Sequence, residues 1–515
     1  MIGSVTSCKK YLDVNENPNA PQDVAPNLYL SAILDNMALA PLFDGRYIGK
    51  YSQMWAENSA LNAWDGMGYQ DLSDNNGEMW RAIYWTFGHN LENMIKASEA
   101  EERWDILGVG YVLKAWGWQN LTELHGEIIL KQAYDLNRSS FDYDSQPEVY
   151  EEVERLLLKG IEYLNRSDGK VSSSYLAVGD KIYNGNRTKW KKFAYGLLAM
   201  SKNTLTNKRS YNPQEVITYV DSALSSAADD ALVVYRGEQS ANAFFYSPIR
   251  NNFNSFRQTE FIVDLLNGVS FGGSPDPRLS RMLAWSPDST YNGIRPTYAG
   301  SSTLTTRKIP MNLLQYTSQP TASQPGKYIF VNNSSLPIMS YFQLQFVKAE
   351  AAFLKGDKEL ALETYKKAIN AHFDFVNTAT AKAANPAVQA ISATDRNAFL
   401  AQPEIIPLAA SDLTLSHIMS QKYIAQWGWA FIPTWTDLRR YHYEDLDPSL
   451  PSVKVFRGFT TPTTDRLNAL NLGKVVYRSR PRYNSEYVWN RDGLDKIGGL
   501  AIDYHTKIMW LFEKD

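Results

Sequence analysis

The chain has 515 residues, 44% of them hydrophobic and 21% charged, and a formal net charge of −3 at pH 7. That length buries a large core, that charge leaves no electrostatic footprint for nucleic acid, and no apolar run approaches the roughly 20 residues of a membrane-spanning helix. Cys8 is the only cysteine, which excludes an internal disulfide and a zinc site of paired thiolates.

Cys8 follows Ser4-Val5-Thr6-Ser7 and precedes Lys9-Lys10. Small residues before a cysteine and a polar tether after it are what a lipoprotein signal peptidase requires. The alternative is an idle thiol in a frayed terminus. Residues 1–7 are too short for a signal peptide and lack its charged and apolar regions. An apolar helix is predicted over 26–40. Segments 77–100 and 104–126 form a first antiparallel pair, 147–167 and 187–207 a second, and 213–231 follows. The stretch AEAAFLKGDKELALETYKKAI (349–369) reads as two helices broken at Gly356-Asp357. Ala349, Ala352 and Phe353 fall at helical spacing in the first, and Ala361, Tyr365, Ala368 and Ile369 in the second. Asp357 caps the second helix. A helix, a glycine turn and a helix with small residues at the crossing is the tetratricopeptide unit. A late helix covers 415–440. Such pairs cannot bury their apolar faces alone, so they stack side by side.

The segments between are rich in Gly, Pro, Asn, Ser and aromatics. Long irregular segments in a compact protein are functional or disordered, and their aromatic content argues against disorder. The expected fold is mostly α. Tetratricopeptide-like helix pairs (about 24–40, 77–231 and 337–440) form a scaffold for a loop-rich ligand-binding lobe (about 41–76, 236–336 and 445–500). Residues 1–23 are a tether, and 24–515 form one domain.

For catalysis, Glu57, Asp65, Asp71 and Asp74 share one loop region. A glycoside hydrolase needs two facing carboxylates, and no spacing here makes any two face each other. The six histidines are scattered, without the paired pattern of a helical zinc site. There is no nucleophile elbow and no phosphate loop. No catalytic residue, cofactor or metal is expected. Binding has a clearer basis, because 14 Trp and 31 Tyr outnumber 21 Phe. Rings with a polar handle suit a ligand that has an apolar face and hydroxyls, such as a sugar. Within 57–71, Trp64 and Tyr69 stand beside Asn62 and Asp65. Within 283–300, Trp285, Tyr291 and Tyr298 stand beside Asn292 and Arg295. Trp64 and Trp285 are the expected stacking rings, against the alternative that a loop tryptophan plugs its loop to the scaffold. Trp116, Trp118, Trp427 and Trp429 are expected in the core. Asp276-Pro277-Arg278 is expected to be a turn that its arginine ties down.

Several blocks in order along the chain resemble the SusD/RagB-like family, in its second SusD-like subgroup. They are CKKYLDVNENPNAP after the cysteine, GDKIYNGNRTKWKKFAYGLLAMS (179–201), SPDPRLSRM (274–282), PIMSYFQLQFVKAEAAFLKGD (337–357), IMSQKYIAQWGWAFIPTWTDLRR (418–440) and RPRYNSEYVWN (480–490). Asn186 departs from the pattern, where an acidic residue is expected. The resemblance implies a non-enzymatic lipoprotein, acylated at Cys8, on the outer face of a Gram-negative outer membrane. It implies a SusC-like TonB-dependent barrel transporter as partner and an oligosaccharide as ligand, or a peptide in some members. It also implies tetratricopeptide-like pairs supporting a loop lobe. A surface glycoside hydrolase on a helical scaffold is the remaining alternative.

Overall fold

The structure is a computed structural model that describes residues 24–60 and 62–515. Cys8 and the tether therefore lie outside the described residues.

Helix α1 (Pro26–Tyr51) begins with proline at a position where a missing N–H costs no hydrogen bond. It buries Leu30, Ile33, Leu34 and Met37 at helical spacing. It runs past the predicted end at Ala40, through Pro41, to Tyr51. Helices α2 (Gly88–Ala100) and α3 (Trp104–His125) form the first pair. α3 then packs on α4 (Gln146–Asn165), and α4 on α5 (Arg187–Asn203). α3 and α4 cross closely: a Cβ on Gly108 would stand 2.7 Å from Leu164 Cγ and 3.0 Å from the Gly160 carbonyl. Asn186 caps α5, its side-chain oxygen accepting from Lys189 N–H at 3.1 Å, so the departing residue does the work of a cap.

α6 (Pro213–Ser222) ends before the predicted 231, and Ala231–Val234 is instead strand β2. β2 pairs antiparallel with β4 (Ser335–Met339), while β1 (Trp55–Glu57) pairs antiparallel with β3 (Phe256–Gln258). The helix pair foreseen around Gly356-Asp357 is present as α7 (Tyr341–Lys355) and α8 (Lys358–Ala383). Gly356 takes the left-handed conformation at φ 89°, and Asp357 accepts from Leu360 N–H at 3.2 Å. The segment 415–440 is two helices rather than one, α9 (Leu415–Gln426) and α10 (Phe431–Arg440). The chain turns between them at Gly428, with φ 89°. α10 returns against α1 and closes the scaffold. Trp116, Trp118, Trp427 and Trp429 are all buried, as expected of core residues. One hydrophobic cluster runs through scaffold and lobe together, from Leu30 to Val476. Arg278 is fully buried, bonds Asp276, and reaches His372 at 2.8 Å and Gln421 at 2.6 Å, tying its loop to α8 and α9.

Candidate ligand-binding surface

The loop after β1 is built around Asn62. Its Oδ1 accepts from Trp64 N–H at 3.0 Å and Asp65 N–H at 3.1 Å, and its Nδ2 donates to Glu57 at 2.7 Å. Asp65 is buried and accepts from Glu57 N–H at 3.0 Å, and burial pushes its carboxyl up to about 7. Trp64 is only 6% exposed. Its ring lies 4.6 Å from Tyr47 and 5.8 Å from Tyr51. Asn62, Trp64 and Asp65 thus hold the loop down, and Trp64 forms the floor of a cleft instead of offering a free face. The next turn is pinned from the far end of the chain: Asn468 N–H donates to the Gly66 carbonyl at 2.8 Å, and Asn471 Nδ2 to that of Met67 at 2.9 Å.

Tyr69 stands at the edge of this plug and begins a more open surface. The Arg480 guanidinium sits 4.1 Å above the Tyr69 ring and 4.4 Å above that of Tyr487. Its Nε donates to Tyr487 Oη at 2.7 Å. Tyr487 in turn stacks on Tyr483 at 5.8 Å and 16°. Gln70, Asp71, Ser73 and Asn75 form the polar rim. Arg482 pairs with Asp74 at 2.8 Å and joins this cleft to a second, larger one of about 600 Å³. Trp85, His89, Tyr134, Leu136 and Arg138 line the larger cleft. Trp85 is 65% and Leu136 83% exposed, and Trp489, on the segment that supplies Ser485 and Glu486 to the cleft wall, is 76% exposed.

Both aromatic ridges are π-helical, over Ala82–Thr86 and Tyr483–Trp489. The wider turn carries one extra residue and re-aims the side chains that follow, a feature concentrated at functional sites. In the first ridge Phe87 N–H reaches back to the Ala82 carbonyl at 2.9 Å, and Tyr134 Oη donates to the freed Ile83 carbonyl at 2.5 Å.

The second predicted stretch divides. Trp285 and Tyr291 are half-buried and flank Lys327, whose Nζ lies 4.7 Å and 5.6 Å from the two rings. Among the described residues no carboxylate stands beside Lys327, and burial lowers it to about 7. Asn292 spends its Nδ2 on Ser286 at 3.0 Å and Thr290 at 2.7 Å. Arg295 and Tyr298 line a separate small pocket with Glu260 and Asp264. The two stretches meet at a seam, where Gly300 N–H donates to Asn58 Oδ1. Beside it, the Arg466 guanidinium lies 4.4 Å over Tyr298. Trp85, Trp489, Arg480, Tyr483 and Tyr487 were not among the expected site residues. RPRYNSEYVWN combines rings, Arg and Asn as 283–300 does, and that composition was the available signal.

Among the described residues no cluster of three or more His, Cys, Asp or Glu could hold a metal ion. No helix of the described residues is long and apolar enough to cross a membrane.

Stacked helix pairs under a lobe of loops, with exposed rings beside short polar side chains, define a helical-repeat protein of the tetratricopeptide-like class. The chain belongs to the second SusD-like family, described as starch-binding and associating with the outer membrane, whose profile matches residues 18–455. Solved structures share the fold. A SusD/RagB family protein from Bacteroides thetaiotaomicron VPI-5482 is 20% identical, with a TM-score of 0.73 over 96% of this chain and 100% of its own. A SusD homologue from Bacteroides fragilis NCTC 9343 is 18% identical, with a TM-score of 0.70 over 96% and 100%. A chitin-binding SusD homologue from Flavobacterium johnsoniae is 20% identical, with a TM-score of 0.66 over 94% and 98%. No curated protein matches the chain.

Proposed function

We propose that this protein is a non-catalytic, cell-surface lipoprotein that holds an oligosaccharide and passes it to a TonB-dependent barrel transporter, anchored through acylated Cys8. The observation that carries the binding reading is the pair of π-helical ridges. They hold Trp85 and Trp489 out to solvent, with the Tyr483–Tyr487 stack and Arg480 close by. Exposed rings supply the stacking face, and Arg480 and the Gln70–Asn75 rim supply partners for hydroxyls. Trp64 serves as floor and Tyr69 as wall. Arg295 and Tyr298, in their separate pocket beyond the seam at Gly300, offer a second place for a ligand. Of the carboxylates that line the clefts, Asp135 pairs with Arg138 at 3.0 Å and Glu486 accepts from Tyr143 at 2.6 Å and Asn490 at 2.9 Å, which leaves Asp71, bonded to its neighbour Leu72 N–H at 2.9 Å, without a facing free carboxylate among the described residues. This supports binding without turnover. Family membership and the chitin-binding relative support a glycan as ligand.

Titration calorimetry with maltoheptaose and chitohexaose tests the reading. Trp85→Ala and Trp489→Ala should each weaken binding at least tenfold, about 1.4 kcal/mol, and leave the melting temperature unchanged, because both rings are exposed. Undiminished binding by the double variant would remove these ridges from the site, and release of shorter sugars would contradict a non-catalytic role. For the anchor, Cys8→Ser should yield a folded protein that no longer fractionates with membranes when the transporter is absent. Stable anchoring needs more than one acyl chain, which a triacylated cysteine provides.

A further inference from the structure

A cavity of about 390 Å³ lies between the β2–β4 ladder and α8, and shares no lining residue with the clefts above. Ala371, Asp374, Phe375, Thr378, Ala379 and Lys382, one face of α8, form one wall. Phe342 from α7 meets Phe375 at 5.2 Å behind it. Leu232, Ile329, Val331 and the α8 alanines give the lining a broad apolar area, and two of its polar groups are unusual. Tyr328 and Ser334 both line the cavity and are 1% exposed, and their hydroxyl oxygens, buried behind its surface, have no hydrogen-bond partner among the described residues. Each hydroxyl keeps hydrogen-bonding capacity for a ligand toward which its side chain turns.

The charges are arranged as a dipole. At one end of the ladder Asp230 accepts from Tyr341 N–H at 2.6 Å. No cation stands against it among the described residues, whereas its neighbour Asp229 pairs with Lys192 at 2.6 Å. Burial, with a contribution from Asp229, pushes the Asp230 carboxyl up to about 7. At the other end Lys382 Nζ donates to Ser335 Oγ at 2.7 Å and has no carboxylate partner among the described residues. Asp374, also on this wall, is already paired at the rim with Arg396 at 2.6 Å. The ladder runs from Ala231 opposite Met339 to Val234 opposite Ser335. From Asp230, one residue before the ladder, to Val234, opposite Ser335, is four residue steps, about 14 Å at roughly 3.4 Å per residue. Allowing for the inward reach of both side chains, the matching ligand carries opposite charges about 10 Å apart, the span of three extended residues.

We propose that this cavity binds a linear zwitterion with an apolar middle, its ammonium at Asp230 and its carboxylate at Lys382, with the Phe375 wall between them. A free tripeptide and an ω-amino acid share this chemistry. Calorimetry on the full chain with Ala-Phe-Ala, ω-aminooctanoic acid, and Ala-Phe-Ala acetylated at its amine or amidated at its carboxyl tests the proposal. Uncapped probes should bind, and each cap should weaken binding at least tenfold. Asp230→Asn, which keeps the acceptor for Tyr341, and Lys382→Gln at the half-buried rim should do the same. The amine cap should cost nothing further in Asp230→Asn, nor the carboxyl cap in Lys382→Gln. Binding of both probes supports the charge dipole alone, and binding of Ala-Phe-Ala only adds recognition of its peptide groups by Tyr328 and Ser334. If Asp230→Asn does not fold, the caps and Lys382→Gln still decide. Absence of zwitterion binding at millimolar concentration, or binding that neither caps nor variants change, overturns the proposal.

Discussion

Glu350 is completely buried on α7 and binds two cations, Arg440 at 2.9 Å and Lys422 at 3.3 Å. It also accepts from Tyr441 at 2.7 Å and Asn203 at 2.8 Å. Burial alone would raise its pKa, but Arg440 and Lys422 outweigh burial and hold it below the usual carboxylate range. A carboxyl depressed in the folded state contributes stability that is present above its unfolded value of 4.5 and lost as pH falls through the folded one. Glu350→Gln leaves Arg440 and Lys422 only Asp437, so it should cost about 3–5 kcal/mol in urea unfolding at pH 7. The gap to wild type should narrow as pH drops below 4.5; a constant gap would show that the charge is not what stabilises. Roles at this scale were only half legible in the sequence. Asn62, Trp64 and Asp65 have the composition of a sugar site, but the same short polar side chains and ring also make a loop plug. Composition does not state which way a ring faces. The Asp357 cap and the Arg278–Asp276 pair were legible, because each acts on its own turn, whereas the partners Arg278 finds in His372 and Gln421 lie far along the chain.

At the scale of elements, the helix pairs were legible because apolar spacing carries a 3.6-residue period. What interrupts that period was not. The turns at Ala82–Thr86 and Trp427–Ala430 keep their apolar residues, so the pattern runs through them unbroken. Pro41, a residue that ends most helices, sits inside α1. The first π-helical ridge depends on Gly88, where a Cβ would stand 1.9 Å from the Ile83 carbonyl oxygen and 2.2 Å from Tyr134 Oη. Gly88→Ala must push Tyr134 away and rewind the turn, at about 1–3 kcal/mol for an overpacked site. Thermal unfolding should show the loss, and oligosaccharide affinity should fall with it as Trp85 is re-aimed. An unchanged melting temperature would mean that the turn accommodates a methyl group and is not what sets the ridge.

For the whole molecule, the family was legible from six blocks whose order, more than any single motif, is specific. The proposed binding surface was not, because it joins residues 69–76, 82–89 and 480–489, which only folding brings together. The central claim is that this composite surface, held by two π-helical ridges on a helical scaffold, receives the ligand. Amide hydrogen exchange of the full chain, with and without whichever of maltoheptaose or chitohexaose binds more tightly, tests it most directly. The account predicts slowed exchange in 69–76, 82–89 and 480–489 and unchanged exchange in 371–382. Protection confined to 283–300, or lying outside all three segments, would contradict it.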